Sequence, residues 1–375
     1  MPPRVDVTAC WSVVPDRAYH LRVVRVTTLA GVHAVLPPYR YAQAELTAAF
    51  TQMCLGPEGN QDLLARLHAN ARVSSRHLVL PLEQYATLTG FRESNDLFIA
   101  HAVQLGAAAL TGALVRAGIG PDEVDVVIST TVTGIAVPSV EARIAQLVGL
   151  RPDVKRVPLF GLGCVAGAAG IARLHDYLIG HPNEVGALLS VELCSLTVQR
   201  EDYSVANLVA SGLFGDGAAA VVAVGANRLE PGPRVLDSRS HLYPDSQRTM
   251  GWDVGADGLK IVLDAQVPAL VRRYLGQDIR SFLAAHSCQV DDVGAWVSHP
   301  GGPKVIEAIE AELGLDGDPL ELTWRSLDQI GNLSSASVLH VLRDTLDKRS
   351  LTTGTPVMLM AMGPGFCSEL VLMQW

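Results

Sequence analysis

Aromatic residues are scarce: Phe, Trp and Tyr make up 5% of the 375 residues, and charged residues only 18%. A core with so few rings is filled by Ala, Val and Leu, and with 34 glycines it suits close layering of helices on sheets. With 49% of residues hydrophobic, a chain disordered over its bulk is excluded. Positive charge is also short, 29 basic against 38 acidic residues, a formal net charge of −9. Only local basic patches offset repulsion from phosphate, so no partnership with nucleic acid or an anionic membrane surface is expected. The six cysteines (Cys10, Cys54, Cys164, Cys194, Cys288, Cys367) lie far apart with no C-x-x-C pair, which is neither a disulfide framework nor a zinc site. In a reducing compartment they are free thiols, most of them small buried hydrophobes and one a candidate nucleophile. Residues 1–26 mix Arg and Asp with no continuous apolar stretch, so no signal peptide is read there. The longest apolar run, 97–115, is broken by His101, Gln104 and Thr111 and stops at Arg116, which reads as a buried core helix and not a membrane span. A cytoplasmic protein is expected.

The length is that of two domains at roughly 100 to 200 residues each. Apolar spacing predicts helices over 94–116, 139–148, 164–179 and 304–313, and β-branched or continuously apolar runs predict buried strands at 124–129, 154–159, 185–191, 218–224, 295–298 and 357–362. Their alternation makes the class α/β. An internal echo adds to this: Asp122-Glu123-Val124 leading into Ile128-Ser129 returns as Asp291-Asp292-Val293 leading into Val297-Ser298, each an acidic turn, a strand, a Gly/Pro loop and a helix. A second pair sets the run 188–193 against 359–362. Two duplicated halves follow, with a boundary near residue 230 and a site where they meet.

Five loops carry the chemistry. In Gly161-Leu162-Gly163-Cys164 a strand enters a tight turn and Cys164 opens a helix of small residues, whose N-terminus favours a thiolate; a buried cysteine in a close strand–helix joint is the alternative. His299 ends a buried strand before Pro300-Gly301-Gly302-Pro303, a place where α/β sites collect and where structural histidines also sit. Asn332, in Gly331-Asn332-Leu333-Ser334-Ser335, either caps the following helix or offers its amide to an oxyanion. Phe214 stands beside a Gly-Asp-Gly turn, and Gly363-Pro364-Gly365 is either a bare turn or the floor of a cavity. Cys, His and Asn on three separate loops have the makings of thiol acyl transfer.

In this order and in these motifs the chain resembles the chalcone synthase-like type III polyketide synthases, and within them the actinobacterial alkylpyrone and alkylresorcinol synthases. The resemblance spans residue 27 to Trp375. It divides the chain into an N-terminal extension (1–26), a half with the cysteine (27–230) and a half with the His and Asn (231–375). It implies a thiolase fold, five-layered α-β-α-β-α from two duplicated halves, in a homodimer. The implied reaction is iterative decarboxylative condensation of malonyl-CoA onto an acyl-CoA starter, with no acyl carrier protein, metal or other cofactor. Cys164 would carry the chain as a thiolate paired with His299. His299 and Asn332 would hold the thioester oxygen, and Phe214 would shape the mouth of the cavity.

Departures from the plant pattern bear on the starter. Ile261 replaces a second gatekeeping phenylalanine and Val137 a methionine directed at the partner's cavity. Both remove bulk, so an aliphatic acyl starter closing to an alkyl pyrone or resorcinol is expected. Val132 stands where stilbene-forming enzymes carry a threonine. Thr133, Glu192, Cys194, Thr197 and Ser334 match cavity positions. Arg66 matches a cation for the coenzyme A phosphates, with Arg72, Arg76 or Lys304 as substitutes for two others missing here. The alternatives are a β-ketoacyl carrier-protein synthase of the initiating type, whose His is followed by Gln-Ala-Asn instead of Pro-Gly-Gly-Pro, and a cysteine acyl hydrolase.

Overall fold

Each apolar run named above becomes a strand or helix in the computed structural model, which describes residues 26–55 and 60–375; Cys10 and residues 1–25 of the extension lie outside the described residues. The strands are β1 (Thr27–Val35), β2 (Tyr39–Ala42), β3 (Ser75–Leu78), β4 (Val124–Thr130), β5 (Lys155–Leu159), β6 (Val185–Leu193), β7 (Asp216–Val224), β8 (Arg234–Leu242), β9 (Met250–Gly255), β10 (Gly258–Leu263), β11 (Ala295–Ser298), β12 (Pro356–Gly363) and β13 (Cys367–Gln374). Nine of them form one mixed sheet in the order β11-β12-β13-β8-β1-β7-β6-β4-β5. From β1 outward, β7 and β6 add antiparallel and β4 parallel. From β8 outward, β13 and β12 add antiparallel and β11 parallel. One topology is thus repeated, and the two copies join where Thr27 and Thr28 pair with Val235 and Arg234. The two sequence echoes are β4 against β11 and β6 against β12, which hold corresponding places in the two copies.

Period-two alternation lets each strand serve two helical layers. On β7, Ala219, Val221 and Ala223 face an inner core with Ile171, Leu174 and Leu178 of the Ala166–Gly180 helix and Val338 and Leu342 of the Ser337–Lys348 helix. Val297, Leu359 and Val371 close the same core from the other copy. The alternate residues Ala218, Ala220 and Val222 face the Gly90–Ala117 and Val140–Val148 helices. Met358, Met360 and Leu372 likewise meet the Gly276–Ala285 and Pro303–Leu313 helices. The result is the five-layered α-β-α-β-α order. Each fully buried aliphatic side chain contributes about 1.5 to 3 kcal/mol of hydrophobic transfer energy. The small residues after Cys164 have a direct cause: a Cβ on Gly167 would collide with the Ser335 carbonyl, so only glycine lets the two inner helices meet.

The Gly90–Ala117 helix is long and apolar enough to cross a membrane by length and composition. In the fold it lays Phe98, Ala102, Gly106, Ala109, Leu110, Ala113 and Leu114 against the strands. Three strands of the nine-stranded sheet, and all four of the two small sheets, have no counterpart in the sequence reading. β8 carries Arg234, Asp237 and Arg239 on a half-exposed ribbon, β13 buries Ser368 and Glu369, and β1 holds Gly31 and His33.

Candidate active site

Cys164 sits in a single 3₁₀ turn, Gly163–Val165, that precedes the inner helix. Gly163 has φ +57°, and a Cβ there would come 2.6 Å from Pro364 Cδ, so the glycine both makes the turn and admits the Gly363-Pro364-Gly365 loop against it. The Cys164 thiol is buried and donates to Ser334 Oγ at 3.7 Å. Asn332 is 2% exposed and does two things at once. Its side-chain carbonyl accepts from the Ser334 N–H (2.8 Å), as a cap would, and its side chain lies near enough to the Cys164 thiol to pull its pKa down. Asn332 and Phe214 are also paired through their backbones, with Gly215 N–H donating to the Asn332 carbonyl (3.0 Å) and Asn332 N–H to the Leu213 carbonyl (2.9 Å). His299 follows the C-terminal end of β11, where its N–H donates to the Met360 carbonyl of β12 (2.9 Å). It is 2% exposed, and neither ring nitrogen has a hydrogen-bond partner. An imidazole buried with both nitrogens unpaired costs free energy unless a bound group completes it.

Burial governs the charges. It pushes the Cys164 thiol up to about 12, against smaller pulls downward from Ser334 and Asn332, and lowers the His299 imidazole to about 3. The expectation that the helix N-terminus favours a thiolate is therefore corrected: desolvation outweighs it, and each group taken alone is neutral.

Glu192, fully buried, anchors the wall behind the sulfur. It accepts from Val132 N–H (3.1 Å), Thr133 Oγ1 (2.9 Å), Thr131 Oγ1 (3.2 Å) and Ser335 Oγ, and burial raises its carboxyl. Val132 thus contributes its backbone. Thr197 Oγ1 donates to the Cys194 carbonyl (2.7 Å), closing the turn that carries both. Two cavities flank this turn. One, of about 80 Å³, is lined by Phe214, Ile261, Cys194, Thr197 and Arg76, together with Trp252, Tyr85, Phe50 and Met53. The other, of about 400 Å³, is more polar and is lined by Thr133, Thr197, Asn95, Gln199, Asp202 and Lys260. Cys164, His299 and Asn332 line neither; Phe214, bridged to Asn332, lines the smaller one together with Cys194.

Val137, expected to face a partner's cavity, is 90% exposed on an outward loop. Two sequence expectations change, both among the candidate cations. Of the candidate phosphate cations, Arg72 is taken by Glu307 (2.8 Å) and stacks on Trp324, and Arg76 is buried among acceptors of its own. Arg66, on the Gln61–Asn70 helix, and Lys304, in the first turn of the Pro303–Leu313 helix, are exposed and free of ion pairs among the described residues. Trp252 escaped the sequence reading. It faces Ile261 across the β9–β10 hairpin and returns bulk that Ile261 gives up. The only signal was a lone tryptophan in a polar, glycine-rich stretch, which fixes no partner.

Residues 27–228 match the family of chalcone and stilbene synthases over its N-terminal domain, and residues 235–375 match the C-terminal domain. The chain is a type III polyketide synthase. Among its curated relatives is the 1,3,6,8-tetrahydroxynaphthalene synthase of Streptomyces peucetius subsp. caesius, 50% identical over 378 aligned positions that cover 100% of both chains. The enzyme of the same name from Streptomyces coelicolor is 32% identical over 84% of this synthase and 83% of its own length. The crystal structure of the Streptomyces coelicolor A3(2) tetrahydroxynaphthalene synthase matches with a TM-score of 0.88 at 30% identity, covering 93% of this synthase and 99% of that chain. The thiolase-type fold and the acyltransferase class of the synthase stand on these matches.

Proposed function

We propose that this synthase uses malonyl-CoA as both starter and extender and releases a polyhydroxylated aromatic of the tetrahydroxynaphthalene type. The observation that carries this reading is the 50% identity, over the whole of both chains, to an enzyme named for that product. The tight cavity behind Phe214 supports it. Trp252, Phe50 and Met53 narrow that cavity, while Tyr85, Ser195, Thr197 and Ser211 give it hydroxyls suited to a chain with oxygen on alternate carbons.

In this reading the Cys164 proton passes to His299 and the thiolate attacks the starter thioester carbonyl; the new C–S bond displaces coenzyme A, which leaves as its thiol with that proton. For each extender the bond to the carboxylate breaks, carbon dioxide departs, and the electron pair forms an enolate; the malonyl starter unit also loses its carboxylate as carbon dioxide before the product is released, so one carbon dioxide leaves per two-carbon unit. Its oxygen is held by the Asn332 amide and a His299 N–H. The enolate carbon then attacks the thioester on Cys164, a C–C bond forms, and the Cys164 thiolate leaves to be reloaded by transfer of the lengthened chain. Phe214 presents an apolar face that favours loss of the malonyl charge. Arg66 and Lys304 are the free cations for the coenzyme A phosphates. Ile135 and Phe160, exposed around one shallow cavity with Val137 beside them, are the apolar side chains a second copy would cover in a homodimer. No carrier protein is required.

Competition between malonyl-CoA and acyl-CoA starters of graded length, read by product mass, tests the starter. Malonyl-CoA alone is expected to sustain a phenolic product, and long acyl starters to compete poorly. Predominant alkyl pyrones or alkylresorcinols from an acyl starter would favour the aliphatic reading instead. Trp252→Ala is expected to raise the relative kcat/KM for medium-chain acyl starters about tenfold, the scale a few methylenes of pocket space commands. An unchanged length profile would remove Trp252 from this role.

A further inference from the structure

Arg76 is an arginine that the cavity lining alone would assign to substrate, and its bonds point elsewhere. It comes from β3 and is 4% exposed, a burial that a guanidinium bears only with a countercharge and acceptors in place. Asp216, fully buried at the start of β7, attracts Arg76 through space but forms no ion pair with it; it accepts from Val79 N–H (2.8 Å), Ser195 N–H (2.8 Å) and Ser195 Oγ (2.5 Å). Arg76 Nε donates to Gln43 Oε1 (3.1 Å), and Gln43 Nε2 donates to the Gly212 carbonyl (2.7 Å). Arg76 Nη1 donates to the Phe214 carbonyl (2.7 Å). Its stem packs on Gly331, where φ is +72° and a Cβ would lie 3.1 Å from both Cγ and Cδ and 2.7 Å from the Leu213 carbonyl. Phe214 and Asn332 are bridged through their backbones at this same point. One side chain therefore grips the carbonyl of Phe214 with its guanidinium and leans its stem on the loop of Asn332.

We infer that Arg76 is a positioning residue: its guanidinium fixes the register of the Phe214–Asn332 bridge and, through it, the aim of the Asn332 amide. This rests on the catalytic reading above. It follows that the fork matters as well as the charge, because a lysine keeps the attraction to Asp216 yet reaches one acceptor where arginine reaches two. A displacement of about 1 Å at a donor costs on the order of 100-fold in rate.

Steady-state release of carbon dioxide from malonyl-CoA separates the possibilities. Arg76→Lys is expected to lower kcat about 10- to 100-fold with KM within about threefold of wild type and an unchanged melting profile. Gln43→Leu, which leaves Arg76 and its charge in place, is expected to lower kcat in the same direction by a smaller factor, and it decides the matter if Arg76→Lys does not fold. A kcat equal to wild type overturns the inference. So does a raised KM with unchanged kcat, which would make Arg76 a ligand of the coenzyme A phosphates. Wild-type protein that releases no carbon dioxide overturns the catalytic reading, and this inference with it.

Discussion

Cys164→Ala is expected to end polyketide formation, a loss on the order of a thousandfold or more, while malonyl-CoA still loses carbon dioxide at a measurable rate. The two activities separate because they use different atoms. In the proposed reaction elongation needs the sulfur to hold the chain, whereas decarboxylation needs only a bound malonyl thioester with His299 and Asn332 beside its oxygen. The variant should fold, since the thiol makes one long bond, to Ser334 Oγ at 3.7 Å, and alanine suits the small-residue turn. Radiolabelled malonyl-CoA, with carbon dioxide trapped and products separated, reads both rates in one experiment. Continued extension of a starter by the variant would move the attachment point to another thiol. Cys194 would be the first to test, because it lines the cavity beside Phe214.

Asn332→Ala is expected to slow both decarboxylation and elongation by about 100- to 1,000-fold, the 2.7 to 4 kcal/mol that one oxyanion donor contributes in comparable sites. The size follows from orientation. The Asn332 carbonyl is held by Ser334 N–H, so the amide is fixed before substrate arrives and needs no reorganisation as negative charge builds on the thioester oxygen. Asn332→Asp distinguishes this from simple capping. Aspartate caps a turn as well as asparagine does, yet it brings an acceptor and a negative charge to a place where a donor is required. The aspartate variant should therefore melt like wild type and be as slow as the alanine variant. Near-normal rates in Asn332→Asp would leave the residue as a cap and nothing more.

Much of this molecule was legible in its residues because the informative segments are local. A glycine turn before Cys164, a His-Pro-Gly-Gly-Pro loop and a Gly-Asn turn each announce their own geometry, and two acidic-turn strands repeat closely enough to expose the duplicated topology. What was missed depends on contacts between distant segments. β13 buries Glu369 because Arg173 and Ser240 meet it there, and no feature of the segment itself foretells those partners. Trp252 matters only because the hairpin sets it opposite Ile261. Arg76 read as a surface cation because arginine usually is one, and its burial is explained by Asp216, Gln43 and a carbonyl 138 residues away. The thiolate at Cys164 was overstated for a related reason: a helix terminus is visible in sequence, whereas the desolvation that opposes it belongs to the packed site.

The central claim is that malonyl-CoA alone is loaded, decarboxylated and condensed at Cys164. Purified protein given only carbon-13-labelled malonyl-CoA tests it, with carbon dioxide, free coenzyme A and product quantified together. The account predicts a phenolic product labelled in every two-carbon unit, with one carbon dioxide and one coenzyme A released for each unit incorporated. Carbon dioxide released without any condensed product, or a product that forms only when a separate acyl-CoA or a carrier protein is added, would contradict it.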